Sequence, residues 1–139
     1  MYVLDTNVLS EFRKESTGRI DANVKAWASR VSESRMFLAA VTILEVEVGV
    51  LQMERRDRQQ GALLRGWFEL HVLSSFAGRI LPFDVQAAHH RARMHVPNPH
   101  SQRDAMIAAT ALVHGMTVVT RNVEDFRSTG VSVFNPWEA

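Results

Sequence analysis

Short runs of apolar residues alternate along this chain with longer amphipathic stretches, and each run stops at polar residues. The first run, Met1 to Leu4, ends at Asp5, and the second, Met36 to Val41, ends at Thr42. Three further runs follow: Ile80 to Phe83, Thr117 to Thr120 and Val131 to Phe134. Runs that are apolar at nearly every position are typical of parallel strands buried on both faces. The pattern therefore predicts an α/β fold with a parallel sheet flanked by helices.

Helices are predicted between these runs from cap residues and helical spacing. Asp21 can cap a helix that runs to about Ser34. Thr42 is predicted to cap a helix through Arg56, with Glu45 as its capping-box partner. The other predicted helices follow Asp5, run from Arg58 to about Phe76, from Asp84 to about His95 and from Ser101 to Gly115, and form a turn from Val123 to Arg127. Without a repeat or a linker, one domain over residues 1–139 is expected.

Four carboxylates fall where such a sheet binds ligands, at the carboxyl ends of its strands. Asp5 follows the first strand, Glu45 the second and Asp125 the fourth, while Asp104 lies in the first turn of a helix opening on the same edge. Each acid alone has a simpler explanation as a helix cap or a solvated side chain. Glu45 has apolar neighbours that predict burial, where an unpaired carboxylate is costly.

These acids belong to four short motifs that occur in order. They are Asp5-Thr6-Asn7, Thr42-Ile43-x-Glu45 with Gly49, Arg103-Asp104-Ala105-x-Ile107-Ala108-Ala109-Thr110, and Thr120-Arg121-Asn122-x-x-Asp125-Phe126. In this ordered set the sequence resembles the PIN-domain family, specifically the VapC- and FitB-type toxins of bacterial toxin–antitoxin pairs. The resemblance covers the chain from Tyr2 to Trp137. It implies an α/β/α fold, a metal-dependent endoribonuclease, a homodimer, and a cognate antitoxin that joins it in a larger complex.

The resemblance carries the family's first three acids onto Asp5, Glu45 and Asp104. The fourth role is carried to Asp125, although Asn122 occupies a position where some members have an acid. Thr6, Asn7, Thr120 and Asn122 are expected to give polar support. All-oxygen ligation suits Mg²⁺ or Mn²⁺. Asp5 and Asp104 are the expected direct ligands, and Glu45 and Asp125 are expected to hold waters or a second ion.

The composition limits the kinds of site and the cellular compartment that fit this chemistry. The chain has no cysteine, which excludes a disulfide scaffold and a thiolate zinc site and fits a reducing compartment. Because no segment reads as a signal peptide or a membrane span, the expected location is the cytoplasm. The net charge is +1, with two lysines against fourteen arginines, and guanidinium groups suit phosphate. Arg103 and Arg121 flank the acids and could contact RNA phosphates or pair with a carboxylate.

Other classes that place an aspartate after the first strand fit less well. Haloacid dehalogenase-like phosphotransferases need a second aspartate where this chain has Asn7. They and response-regulator receivers need a later lysine, and none follows Lys25. A dinucleotide-binding domain needs a glycine-rich first loop, which residues 5–11 lack. The remaining alternative is a catalytically silent PIN-like module that acts as a regulator with a DNA-binding antitoxin.

Overall fold

Strands and helices alternate through residues 1–97 and 99–139, the part of the chain that this computed structural model describes. The strands are β1 (Tyr2–Leu4), β2 (Met36–Ala39), β3 (Ile80–Leu81), β4 (Thr117–Val119) and β5 (Val133–Phe134). The helices are α1 (Thr6–Phe12), α2 (Ala22–Arg30), α3 (Ala40–Arg56), α4 (Arg58–Trp67), α5 (Val85–His95), α6 (Gln102–Val113) and α7 (Val123–Phe126). Short 3₁₀ turns fill several connections, and a π-helical turn at Phe68–Leu73 extends α4.

The strands form one parallel sheet in the order β3-β2-β1-β4-β5. The parallel sheet flanked by helices that the apolar runs predict is therefore confirmed. Because β1 lies in the middle, its carboxyl end sits between those of β2 and β4. The segments that follow these three strands meet at one edge of the sheet, and this edge carries the candidate site.

Burial on both faces explains why the strands are continuously apolar. Successive side chains of a strand point to opposite faces. Leu4 and Val119 pack into the core on one side of the sheet, and Val3 and Val118 pack into the core on the other. All four side chains are fully buried. Helix α6 covers the second face with small residues, including Ala108 and Ala111, so it packs close to the strands.

Several predicted boundaries are wrong: the strand expected over Met36 to Val41 ends at Ala39, and two helices begin or end elsewhere than expected. Thr42 does not cap α3: the helix begins at Ala40, and the cap residue Ala39 is still the last residue of β2. Packing of the apolar face outweighs cap chemistry here, since Val41 and Val46 enter the core from the first turns. Helix α2 ends at Arg30 rather than near Ser34, with Val31 already extended.

A guanidinium clamp joins the hairpin of α3 and α4. Arg65 donates to Glu47 at 2.6 Å and to both carboxylate oxygens of Glu54 at 3.0 and 3.2 Å. The helices approach so closely beside this clamp that a Cβ on Gly61 would clash with the backbone of Glu54. No helix in residues 1–97 or 99–139 has the length and hydropathy needed to cross a membrane.

Candidate active site

Asp5 is the most enclosed of the four acids, with 6% of its surface exposed. It has an extended backbone at the end of β1 and serves as the N-cap of α1. Its Oδ1 accepts a 2.8 Å hydrogen bond from the Thr6 amide, and its Oδ2 accepts one of 2.7 Å from the Thr120 hydroxyl. Asp5 is therefore both a helix cap and a residue of the acidic pocket, because the cap fixes the direction in which its carboxylate points.

Thr120 connects the end of β4 to the end of β1. While its hydroxyl donates to Asp5, its oxygen accepts from the Asn122 amide at 3.0 Å and from Asn7 Nδ2 at 3.3 Å. Asn7 Nδ2 also lies 3.3 Å from Asp5 Oδ2, and its Oδ1 accepts from the Arg121 amide at 3.3 Å. Of the predicted supporting residues, Asn7 and Thr120 bond the Asp5 carboxylate through their side chains, whereas Thr6 and Asn122 take part through their backbone amides.

Glu45 lies in the second turn of α3 and is half-buried beside the same edge. Its Oε2 stands 3.6 Å from Arg103 Nη1. The structure therefore shows for Arg103 the ion pair that the sequence left open as an alternative to phosphate contact. The Arg103 side chain is 57% exposed, so water screens much of this attraction.

Asp104 and Asp125 complete the acidic edge. Asp104 lies in the first turn of α6 and is half-buried, whereas Asp125 lies in α7 and is exposed. Asn122, the alternative fourth residue, is exposed just before α7. Asp5 and Asp125 both act electrostatically on Asp104, and Asp125 also acts on Asp5. Glu45 is affected by the charges of Asp5 and Asp104. The other three predicted carboxylates therefore all lie within electrostatic range of Asp5.

Burial and mutual repulsion raise the pKa values of three of these acids. Desolvation is the largest cause at Asp5, Glu45 and Asp104 alike. Asp125 raises the pKa of Asp5 further, and Asp5 does the same to Glu45 and to Asp104. At Asp5 the hydrogen bonds from Thr120 and Thr6 oppose these effects, and at Glu45 the Arg103 charge does. The pocket thus gathers negative charge, and the hydrogen bonds to Asp5 and the Arg103 charge offset only part of it.

The donor set fits a hard divalent cation that keeps part of its water shell. Among the residues that the structure describes, no three Asp, Glu, His or Cys side chains are grouped so that they could hold a metal ion. Mg²⁺ binds proteins through one or two carboxylates and keeps several waters, so a closed cage is not required. The buried Thr6 Oγ1 has no hydrogen-bond partner among these residues. It lies near enough to Glu45 to lower the pKa of that carboxyl.

Arg121 differs from Arg103 in its surroundings. Its guanidinium lies over the Trp137 ring, 5.3 Å from the ring centre, and makes no ion pair within the described residues. Trp137 follows β5 in a 3₁₀ turn, on the same edge of the sheet as Asp5. Nothing in the sequence indicated this stacking, since Trp137 stood out only as the end of the family resemblance.

The fold and the site together define a parallel α/β protein with an acidic pocket at the carboxyl edge of its sheet. The sequence pattern of the PIN domain matches residues 2–131. The chain is 36% identical over 99% of both chains to the VapC ribonuclease Y4jK of Sinorhizobium fredii, and equally so to the toxin FitB of Neisseria gonorrhoeae.

Two solved structures show the same architecture. The FitAcB structure from Neisseria gonorrhoeae covers 100% of both chains with a TM-score of 0.89 and 34% identity. The FitAB structure bound to the IR36 DNA fragment covers 99% of this chain and 96% of that one, with a TM-score of 0.86 and 35% identity. This chain belongs to the PIN-domain family, among its VapC- and FitB-type toxins. The family and the fold that the ordered motifs predict are confirmed.

Proposed function

We propose that the chain is a Mg²⁺- or Mn²⁺-dependent endoribonuclease toxin, restrained by a cognate antitoxin. The supporting observation is the burial of Asp5 at the centre of the sheet edge, with Glu45, Asp104 and Asp125 within electrostatic range. Placing like charges together in a partly desolvated pocket is unfavourable unless a cation offsets them. The ribonuclease name of a relative that matches this chain over its whole length supports the same reaction.

Asp5 and Asp104 would hold the cation directly. Asp5 is fixed by three donors, Thr6, Asn7 and Thr120, which leave its carboxylate little freedom to turn away. Asp104 is carried by the first turn of α6, where the positive end of the helix dipole favours a carboxylate. A bound Mg²⁺ or Mn²⁺ supplies positive charge beside the scissile phosphate and lowers the pKa of a nearby water.

Glu45 is suited to take the proton of the attacking water. Its pKa is raised by burial and by the Asp5 charge, which brings it closer to the operating pH of a general base. Asp125 is the second residue that can accept this proton. The water oxygen attacks phosphorus, the bond to the 3′ oxygen breaks, and that oxygen takes a proton from solvent. The products carry a 5′-phosphate and a 3′-hydroxyl.

Asp5→Asn tests the proposal, because asparagine keeps the helix cap and removes the charge. The purified chain and the variant are incubated with a panel of structured RNAs in Mg²⁺, in Mn²⁺ and in excess chelator. Cleavage by the wild type that both chelator and Asp5→Asn abolish is the expected result. Asp57→Asn is the matched control, since Asp57 caps α4 in a similar way by accepting from the Gln60 amide at 3.1 Å. Full cleavage in chelator, or by Asp5→Asn, would exclude the mechanism.

A regulator without catalysis is the second candidate, and it is favoured by the similarity to FitAB bound to DNA. In this case the chain acts through an antitoxin that binds DNA. Purification with and without the product of the neighbouring gene separates the two. A chain that stays inactive on RNA when freed from its partner, while the complex binds promoter DNA, would favour the regulator. The homodimer remains a prediction, which sedimentation of the free chain can check.

A further inference from the structure

A second cavity opens beside the acidic pocket, over the ends of β4 and β5. It has a volume of about 410 Å³. Its walls include Arg121, Asn122, Asp125, Arg127, Asn135 and Glu138. Asp125 lines this cavity and acts electrostatically on Asp5 and Asp104, so the cavity lies beside the other acids at this edge of the sheet. A polymer bound across the edge would pass from these acids into the cavity.

The charges of this cavity are arranged differently from those of the acidic pocket. Arg127 forms an ion pair with Glu124, which also lines the cavity, at 2.8 Å, and both side chains are largely exposed to water. Arg121 is the other arginine of the wall, and its guanidinium is held over Trp137 rather than paired with an acid. Stacking on an aromatic ring restrains the long side chain while leaving its N–H groups free to donate. An arginine held in this way is suited to bind a phosphate.

Two amide side chains lie in the same wall as Arg121. Asn135 Oδ1 accepts from the Trp137 amide at 2.9 Å, which leaves its NH₂ group to donate. The Asn122 side chain makes no hydrogen bond within the described residues, although its backbone amide is bonded to Thr120. Amides and the Glu138 carboxylate are groups that read the donors and acceptors on a base edge. The negative charge of Glu138 argues against a second phosphate at that end.

We propose that this cavity binds the nucleotide next to the scissile phosphate, with Arg121 on its phosphate and the Asn122 and Asn135 amides at its base. The inference rests on the proposed ribonuclease function, since it names the part of the same site that selects the substrate. Trp137 is a positioning residue here, because it acts by holding Arg121. The preference of the enzyme among RNA sequences would then be set partly by residues beyond β4 and β5.

Binding of a fluorescein-labelled, unstructured ten-nucleotide RNA tests the inference without requiring cleavage. The measurement is made in the Asp5→Asn background at several salt concentrations. Arg121→Ala is expected to weaken binding by about tenfold. It should also reduce the slope of log affinity against log salt concentration by about the contribution of one phosphate contact. Arg121→Lys should restore the salt dependence and only part of the affinity, since lysine keeps the charge but has no planar group. Asn122→Ala should change the preference among RNAs that differ at one position while the salt dependence stays as it was.

Arg35→Ala is the matched control, because Arg35 lies over the Tyr2 ring at 5.8 Å on the opposite edge of the sheet. It should bind RNA as the parent does.

A merely structural role for Arg121 would lower thermal stability in Arg121→Ala and leave RNA affinity and its salt dependence unchanged, which would overturn the inference. If the wild type cleaves RNA and Arg121→Ala binds it normally, the inference fails and the ribonuclease stands. If RNA binding depends on Arg121 but no cleavage occurs, the ribonuclease fails and the cavity stands only as an RNA-binding site. If neither binding nor cleavage is seen, both fail.

Discussion

The Thr120 hydroxyl donates a 2.7 Å hydrogen bond to Asp5 Oδ2 and thereby joins two residues that are 115 positions apart in the sequence. Both residues are buried where neighbouring parallel strands end. The bond fixes the one carboxylate of the site that has the least access to water. It also makes the geometry of the site depend on the packing of β4 against β1.

Thr120→Val removes this donor while keeping the shape of the side chain. We expect a loss of about 1–3 kcal/mol in the free energy of unfolding, because the Asp5 carboxylate and the Asn122 amide are each deprived of a partner. Urea denaturation measures the loss. Thr120→Ser should recover most of it. Thr110→Val is the matched control, since Thr110 is equally buried and its hydroxyl donates only to the Met106 carbonyl of its own helix. A loss in Thr110→Val as large as that in Thr120→Val would contradict this account.

The raised carboxyl pKa values predict that stability falls as the pH rises. Asp5, Glu45 and Asp104 bind protons more tightly in the folded chain than in the unfolded one. The folded state therefore holds more protons, and the stability they contribute is lost from the ordinary values of 3.8 and 4.5 upward, through the raised folded values. Thermal midpoints in chelator between pH 4 and pH 8 measure the effect. Relative to the wild type, Glu45→Gln should flatten the decline, and an unaltered profile would count against the repulsion.

Removing the Arg103 side chain should shift the pH dependence of activity more than it shifts stability. The Arg103 charge lowers the pKa of Glu45, so Arg103→Ala should raise that pKa. If Glu45 is the base, the acidic limb of the pH–rate profile moves to higher pH. Stability should change little, since Arg103 is largely exposed to water. Arg103→Lys should keep the limb near its original position. A lower rate with an unmoved limb would assign Arg103 to RNA binding instead.

Binding of a divalent cation should be visible in stability as well as in catalysis. A cation that binds only the folded chain adds about 2.7 kcal/mol at about one hundred times its dissociation constant. We expect Mn²⁺ to raise the thermal midpoint of the wild type at neutral pH and to do so less in Asp104→Asn and Asp5→Asn. The chelated protein supplies the baseline, and Asp57→Asn should respond as the wild type does. An equal rise in all four proteins would indicate binding elsewhere.

Much of the fold follows from the sequence because its elements obey local rules. Uniformly apolar runs marked the parallel strands, and the rule that ligands bind at strand ends brought Asp5, Glu45 and Asp125 to one edge. The error at Thr42 shows the limit of such rules. A threonine and a glutamate in capping-box spacing met the local criterion, yet the helix begins three residues earlier than a Thr42 cap requires, because its apolar face already had a core to enter.

The partners of the arginines could not be read from the sequence. Arg103 and Arg121 both precede an acid or an amide within one of the ordered motifs. Arg103 nevertheless pairs with Glu45, whereas Arg121 stacks on Trp137. The partner of each arginine depends on how α3 and the turn after β5 are placed in space. The unpartnered Thr6 hydroxyl is likewise a product of tertiary packing, since Thr6 reads locally as an ordinary first residue of a helix.

The repulsion stored among these carboxylates has a consequence for how the chain is produced and inherited. A substitution that neutralises one of the acids relieves a cost of folding. If the proposed ribonuclease depends on these acids, the inactive protein therefore folds at least as well as the active one. Quality control in the cell will not remove such variants, and a host harmed by the active chain will favour them. Clones recovered after prolonged growth without an antitoxin should therefore collect changes at Asp5, Glu45 and Asp104 ahead of changes in the buried strands. Sequencing of passaged cultures would show whether inactivation is concentrated in this way.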